Sequence, residues 1–93
     1  MAHVVELTPR AEREYARLHL PVKTAILRVM RRLEAEPRFA GTDRVVGLPG
    51  ARRARVGGYR IIFTIDDRRR VVRVLRIAPR DKAYKRLRSL RLE

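Results

Sequence analysis

Residues 52–84 read RRARVGGYRIIFTIDDRRRVVRVLRIAPRDKAY and contain three runs that favour β-strands, followed by the start of a helix. The pair Gly57-Gly58 separates the first two runs. Gly-Gly is a favoured two-residue hairpin loop because both of its positions can take a positive φ. A turn of this length places Arg55 directly opposite Arg60. The stretch therefore predicts a β-hairpin with a defined register.

Side chains alternate between the two faces of a strand, so this register also sorts the hairpin into a basic face and an apolar face. The basic face carries Arg53, Arg55 and Arg60. The apolar face carries Ala54, Val56, Tyr59, Ile61, Phe63 and Ile65. Like charges that lie opposite each other destabilise a sheet, so stability alone does not explain three clustered arginines. The pattern favours a surface that binds a phosphate chain.

The chain before the hairpin predicts a strand and a helix pair. Residues 4–7 favour a short first strand. Thr8 and Pro9 begin a helix, because threonine is a good N-cap and proline suits the first helical position. Pro21 begins a second helix with an apolar stripe at helical spacing, and Pro37 ends it near residue 36. The apolar sides of both helices require a sheet to pack against.

The remaining segments complete an α+β fold. Residues 39–51 predict a loop that is anchored by Val45, Val46 and Leu48. Residues 71–78 are nearly continuously apolar, which favours a central strand, and a C-terminal helix with Ala83, Leu87 and Leu90 on one stripe follows Pro79. We expect one domain over residues 1–93, with an antiparallel sheet of about four strands and the helix pair on one face. The element order is β-α-α-β-β-β-(α).

Composition limits the classes of function. The 93 residues include 24 Lys+Arg against 10 Asp+Glu, a formal net charge of +14 that favours nucleic acid or an acidic protein as partner. The chain has no cysteine, and its two histidines, His3 and His19, are isolated, so neither a disulfide nor a metal site is expected. No apolar run reaches the length of a membrane span and no leader is evident. We expect a soluble cytoplasmic protein without a cofactor.

Two segments in this order, RARVGGYRIIFTI at 53–65 and VVRVLRIAPRDKAY at 71–84, resemble the RelE/ParE superfamily of bacterial toxins. They hold a basic-x-basic pair, a Gly-Tyr-Arg step into an aromatic strand, and an arginine after the last strand that is followed by a tyrosine. Together with the first strand and the helix pair, the resemblance covers nearly the whole chain. It implies a toxin of a type II toxin–antitoxin system.

The resemblance implies specific roles for five residues. Arg53 and Arg55 match the basic-x-basic pair, which binds RNA phosphates. Arg60, Arg80 and Tyr84 match the catalytic set, and the two arginines of that set would hold the scissile phosphate while the tyrosine stacks on a base or orients the hydroxyl. RelE-like members cut messenger RNA in the ribosomal A site by attack of a 2′-hydroxyl on its own phosphate, without a metal ion.

One departure from the RelE pattern bears on mechanism. RelE has lysines in the basic-x-basic pair, whereas this chain has arginines, which stay protonated and serve poorly as bases. No Glu or His in residues 53–84 replaces them. Nuclease activity is therefore expected to rest on electrostatics and positioning.

The resemblance leaves the target open and implies a protein partner. The leading hypothesis is a ribosome-dependent mRNA endoribonuclease, and the alternative is a ParE-like toxin that inhibits DNA gyrase without nuclease activity. A basic partner-binding module without toxicity is a third possibility. In each toxin case we expect an acidic cognate antitoxin, which would form a toxin–antitoxin hetero-oligomer with this chain.

Overall fold

Five strands form one mixed sheet in the computed structural model, which describes residues 2–85. The elements along the chain are β1 (Val4–Leu7), α1 (Pro9–Ala16), α2 (Leu20–Ala35), β2 (Thr42–Arg44), β3 (Ala51–Val56), β4 (Tyr59–Asp66), β5 (Val71–Pro79) and α3 (Arg80–Ala83). Across the sheet the order is β1-β5-β4-β3-β2. This arrangement confirms the α+β class and places β5 in the sheet interior, as its apolar sequence predicts.

The sheet differs from the prediction in two respects. Strand β1 pairs in parallel with β5, so the sheet is mixed, and the expected antiparallel pairing holds from β2 to β5. The partner of β1 is more than sixty residues away in the chain, and no local pattern identifies it. The second difference is β2, a three-residue strand inside the segment predicted to be a loop. It pairs with β3 through Thr42 and Ala54, and it is too short for a period of two to be visible.

The hairpin between β3 and β4 has the predicted register. Arg55 lies opposite Arg60 and Val56 lies opposite Tyr59. Gly57 takes a φ of 60°, a conformation that glycine adopts without steric cost. The two-residue turn therefore forms as the sequence predicts, and it fixes which side chains share a face.

The main hydrophobic core lies between the helices and one face of the sheet. It contains the apolar residues predicted for β3 and β4, among them Ala54, Ile61 and Phe63, all fully buried. From the helices it contains Ile26 and Leu33. The Thr8 hydroxyl accepts a hydrogen bond from the Ala11 amide at 3.2 Å, which confirms the predicted N-cap of α1. Both the apolar face and the start of the helix pair are thus confirmed.

The other sheet face, which we call the open face, carries a smaller apolar cluster. It consists of Val45, Leu48, Ala51, Ile62 and Leu75, with the half-buried Tyr84 packed against them. This cluster attaches both the loop of residues 45–50 and the segment after β5 to the open face. Of the three predicted loop anchors, Val45 and Leu48 are buried as expected. Val46 is 94% exposed, so its assignment as an anchor is wrong.

The predicted C-terminal helix lies only partly within the described residues. Helix α3 has four residues and buries Ala83. Leu87 and Leu90 lie outside the described residues. No helix in residues 2–85 is both long enough and apolar enough to cross a membrane.

Candidate nucleic-acid interface

The basic face predicted for the hairpin lies on the open face of the sheet. Arg55 and Arg60 are cross-strand neighbours there. The Asp43 carboxylate of β2 lies 3.7 Å from Nη2 of Arg53 and 3.9 Å from Nη2 of Arg55. These separations are longer than hydrogen bonds, and more than half of the Asp43 side chain is exposed. Asp43 therefore makes only weak ion pairs with the two arginines. A phosphate group is also negatively charged and could take its place.

Arg53 is also joined to Tyr84, although the two residues lie on different elements. Nη1 of Arg53 donates a hydrogen bond of 2.9 Å to the Tyr84 hydroxyl, and its guanidinium carbon lies 5.6 Å from the centre of the tyrosine ring. The hydrogen bond to Tyr84 raises the pKa of Arg53 above its usual value. Because the hydroxyl oxygen accepts from Arg53, the hydroxyl hydrogen stays available to be donated elsewhere.

Arg60 is held more tightly than the sequence suggests. Only 9% of the residue is exposed. Its Nη1 donates to the carbonyl oxygens of Gly57, at 3.0 Å, and Tyr59, at 2.8 Å, which both belong to its own hairpin. Nη1 of Arg60 thus stabilises the turn. A ligand would have to bind to the other two guanidinium nitrogens, Nε and Nη2.

Arg80 lies at the same end of the sheet as the hairpin turn. Its backbone amide donates to the carbonyl of Gly58 at 2.9 Å, while Arg60 pairs across the strands with Ala78. The Arg80 side chain is exposed, and within residues 2–85 it forms no hydrogen bond or ion pair. The Arg80 side chain can therefore meet a ligand without giving up a polar contact to any of the described residues.

A further arginine, Arg76, positions this segment and was not predicted. Its Nε donates to Glu14 of α1 at 3.3 Å, and its Nη1 donates to the carbonyls of Lys82 at 2.7 Å and Lys85 at 3.0 Å. The other Glu14 oxygen accepts from the Ile77 amide at 2.8 Å. A buried guanidinium thus connects α1 and β5 to the chain that carries Tyr84. A signal was present in the sequence, because an arginine in the apolar run of a central strand needs buried partners.

A cavity of about 220 Å³ opens beside Tyr84. Its walls are formed by Arg44, Val45, Val46, Arg53 and Tyr84. We call it the Tyr84 cavity.

Elsewhere, Asp67 at the β4–β5 turn accepts two hydrogen bonds from Arg38, at 3.1 and 2.8 Å, so that carboxylate is occupied far from the basic face. Within the described part of the chain, no group of three His, Asp or Glu side chains is suited to hold a metal ion.

A match between the sequence and a protein-family model determines the family of this chain. The model of the ParE toxin of type II toxin–antitoxin systems (parDE) matches residues 5–84. The chain belongs to the ParE toxin family. It is accordingly the toxin component of a type II toxin–antitoxin system, and the predicted membership of the RelE/ParE superfamily is confirmed. Among curated proteins, none matches the sequence significantly.

Solved structures similar to this ParE-family chain carry the RelE fold. The RelBE2 toxin–antitoxin complex of Mycobacterium tuberculosis matches with a TM-score of 0.77 and 28% identity, over 86% of this chain and 100% of that one. The RelE–RelB complex of Pyrococcus horikoshii matches with a TM-score of 0.76 and 24% identity, over 89% and 100%. The intact RelBE complex of E. coli matches with a TM-score of 0.73 and 22% identity, over 84% and 96%. At these lower identities the last two matches establish the fold alone.

Proposed function

We propose that this toxin is a ribosome-dependent endoribonuclease that cuts messenger RNA in the A site. The observation that carries the proposal is the hydrogen bond from Arg53 to the Tyr84 hydroxyl, which sits beside a basic face formed by Arg55 and Arg60. A phosphate-binding surface next to an oriented phenol is suited to RNA, because arginines bind phosphate and a tyrosine ring stacks on an unpaired base.

The proposed reaction is an internal transfer of the phosphoryl group. The 2′-oxygen of the nucleotide attacks its own phosphorus, the bond to the 5′-oxygen of the next nucleotide breaks, and a 2′,3′-cyclic phosphate remains. The 2′-hydroxyl proton leaves to solvent, since an arginine cannot accept it. The Tyr84 hydroxyl, oriented by Arg53, donates its proton to the leaving 5′-oxygen. Arg55 and Arg80 stabilise the negative charge that grows on the phosphate oxygens.

Single-turnover cleavage on programmed ribosomes tests this proposal. Arg80→Ala should slow cleavage by about 100- to 1,000-fold, as is typical for the loss of one preorganised charge donor. Arg80 is the suitable position because its side chain has no internal partner within residues 2–85, so folding should be unaffected. The matched control is Arg28→Ala, which removes the same charge from the exposed side of α2 and should leave the rate within about twofold of the parent.

A second variant separates the role of the Tyr84 hydroxyl from the role of its ring. Tyr84→Phe keeps the apolar contact with the open-face cluster but removes the hydroxyl that accepts from Arg53. We expect cleavage to slow by about 100-fold or more, because general acid catalysis typically contributes factors of that size. Full activity of the Arg80→Ala, Tyr84→Phe double variant would refute the nuclease mechanism.

Inhibition of DNA gyrase is the second candidate function. It is favoured by the match to the ParE toxin model and by the arginines that replace both lysines of the RelE pair. A gyrase supercoiling assay run with the same protein preparations distinguishes the two. Inhibited supercoiling together with intact messenger RNA would replace the nuclease proposal with this one.

We also propose an acidic antitoxin as the partner of this chain. The similar structures include complexes described as RelB with RelE, and the formal charge of +14 calls for an anionic partner. Association should be fast and should weaken as salt rises, because charge mainly accelerates encounter. Association rates measured between 50 mM and 500 mM salt test this, and rates that do not change with salt would contradict it. A ribosomal target would place the toxin in the cytoplasm.

A further inference from the structure

We infer that Glu14 and Arg76, which lie outside the basic face, are positioning residues for RNA cleavage and act by fixing Tyr84. The inference rests on the proposed nuclease function and extends it to helix α1, which contributes no residue to the proposed site. It depends on one continuous series of contacts. These run from the Glu14 carboxylate to the Arg76 guanidinium, and from there to the backbone on both sides of Tyr84.

The Glu14 carboxylate is fixed against the edge of β5. Strand β1 pairs with β5 only as far as Val74, so the later residues of β5 have no strand on that side. Helix α1 covers this edge instead, and one Glu14 oxygen accepts from the Ile77 amide at 2.8 Å. The other Glu14 oxygen accepts from Nε of Arg76 at 3.3 Å. Both carboxylate oxygens are therefore engaged with β5, and Glu14 holds the Arg76 guanidinium from the side of α1.

Arg76 in turn holds the backbone around Tyr84. Only 11% of the Arg76 side chain is exposed, and its Nη1 donates to the carbonyls of Lys82, at 2.7 Å, and Lys85, at 3.0 Å. Lys82 precedes Tyr84 by two residues and Lys85 follows it directly, so a single nitrogen holds the chain on both sides of the tyrosine. Hydrogen bonds with an ionised donor are stronger than neutral ones, which makes this contact a firm one.

Helix α3 cannot fix Tyr84 by itself. It has four residues, and its N-cap Pro79 makes no side-chain hydrogen bond. A single helical turn is not stable in isolation, because it orders several residues for very few hydrogen bonds. Arg53 holds the Tyr84 hydroxyl at 2.9 Å, at the far end of the side chain. The position of the phenol therefore depends on two arginines, with Arg53 at the hydroxyl and Arg76 at the backbone.

Single-turnover cleavage on programmed ribosomes, with the full chain, measures the effect. Arg76→Met should lower the maximal rate by about 10- to 100-fold, because a misplacement of about 1 Å in a reacting group can cost about 100-fold. The ribosome concentration at half-maximal rate should stay within about twofold, since the buried Arg76 does not contact RNA. Glu14→Gln should slow cleavage less, because its amide oxygen can still accept from the Ile77 amide. A maximal rate of Arg76→Met within about threefold of the parent would overturn the inference.

A double-mutant cycle with Tyr84→Phe separates positioning from general loosening. If Arg76 acts through the Tyr84 hydroxyl, its loss should matter little once that hydroxyl is gone. In the Tyr84→Phe background, Arg76→Met should therefore slow cleavage by no more than about threefold. An equal loss of rate in both backgrounds would overturn the inference.

The matched control is Arg52→Met, which removes another partly buried arginine. Nη2 of Arg52 donates to the Thr42 hydroxyl at 2.8 Å and so connects β3 to β2, away from Lys82 and Lys85. We expect its cleavage rate to stay within about threefold of the parent. A loss as large as that of Arg76→Met would show that any loosened arginine slows cleavage, and it would overturn the specific role of Arg76.

The ring resonances of Tyr84 in the isotope-labelled toxin separate this inference from the proposed function. Arg76→Met and Glu14→Gln should both shift them, and Arg52→Met should shift them less. If the parent cuts messenger RNA while Arg76→Met changes neither the rate nor these resonances, the inference is overturned and the nuclease function stands. If the parent does not cut and the resonances shift as expected, the nuclease function fails, and Glu14 and Arg76 stand as the residues that position Tyr84.

Discussion

Replacement of Arg76 by methionine should loosen the segment that carries Arg80 and Tyr84. The guanidinium of Arg76 donates to the Glu14 carboxylate and to the carbonyls of Lys82 and Lys85. Methionine has a similar length, so the substitution removes these donors without leaving a large cavity. Hydrogen bonds from a charged donor contribute about 1.5–3 kcal/mol each.

The loss of stability depends on how well the acceptors that lose Arg76 can find other partners. Lys82 and Lys85 are exposed, so water can reach the abandoned carbonyls and reduce the cost. Glu14 is more enclosed, with 22% of its side chain exposed, but it retains the hydrogen bond from the Ile77 amide. We therefore expect a loss of about 2–3 kcal/mol in the free energy of unfolding, below the cost of an isolated buried charge.

Urea denaturation measures this loss, and hydrogen exchange locates it. Amides of residues 82–85 should lose protection in Arg76→Met by more than the amides of β4. Glu14→Gln is the matched control, because its amide oxygen can still accept from the Ile77 amide while the charge is gone; it should cost about 1 kcal/mol. A double-mutant cycle gives the coupling between the two residues. Stability of Arg76→Met within about 0.5 kcal/mol of the parent would refute the reasoning.

Three further predictions concern the core, the turn and the basic pair. Phe63→Ala should lower the free energy of unfolding by about 3–5 kcal/mol in urea denaturation, since this side chain is fully buried; a loss below about 1 kcal/mol would contradict the core assignment. Hydrogen bonds from Arg38 lower the pKa of Asp67, so this pair stabilises the fold above about pH 4 and ceases to do so as pH falls further. The stability difference between the parent and Asp67→Asn should accordingly shrink on acidification, and a difference that stays constant would count against it. Arg55→Ala should weaken binding of single-stranded RNA more than Arg53→Ala, as measured by fluorescence anisotropy, and the reverse order would be inconsistent with the geometry.

The sequence predicts features that depend on neighbouring residues. The turn at Gly57-Gly58 sets the register of β3 and β4, and a period of two then separates the arginines from Ile61 and Phe63. The N-cap Thr8 likewise acts within one helical turn. Each prediction uses residues within a few positions of one another, where steric preference and alternation decide the structure.

Features that depend on distant residues are not predictable in this way. The parallel pairing of β1 with β5 and the contact of Arg76 with Glu14, 62 residues earlier, arise only when the whole sheet has formed. The same holds for the hydrogen bond between Arg53 and Tyr84, which requires the chain after β5 to fold back over the open face. The sequence identifies both residues as site candidates, and the fold determines that they touch.

The two arginines of the basic pair have different freedom to bind a phosphate. Arg53 uses Nη1 for Tyr84 and turns Nη2 towards Asp43, while its Nε is buried without a partner, so a phosphate would reach it only by displacing Asp43. The Arg55 side chain is 58% exposed, and its one polar contact within residues 2–85 is the long one to Asp43. In the proposed mechanism Arg55 would therefore meet the phosphate at little cost, whereas Arg53 would orient the Tyr84 hydroxyl through its hydrogen bond. Under the proposed nuclease mechanism, this division would allow arginines to replace the lysines of the RelE pair: neither residue would need to lose a proton, because one would bind charge and the other would position the Tyr84 hydroxyl.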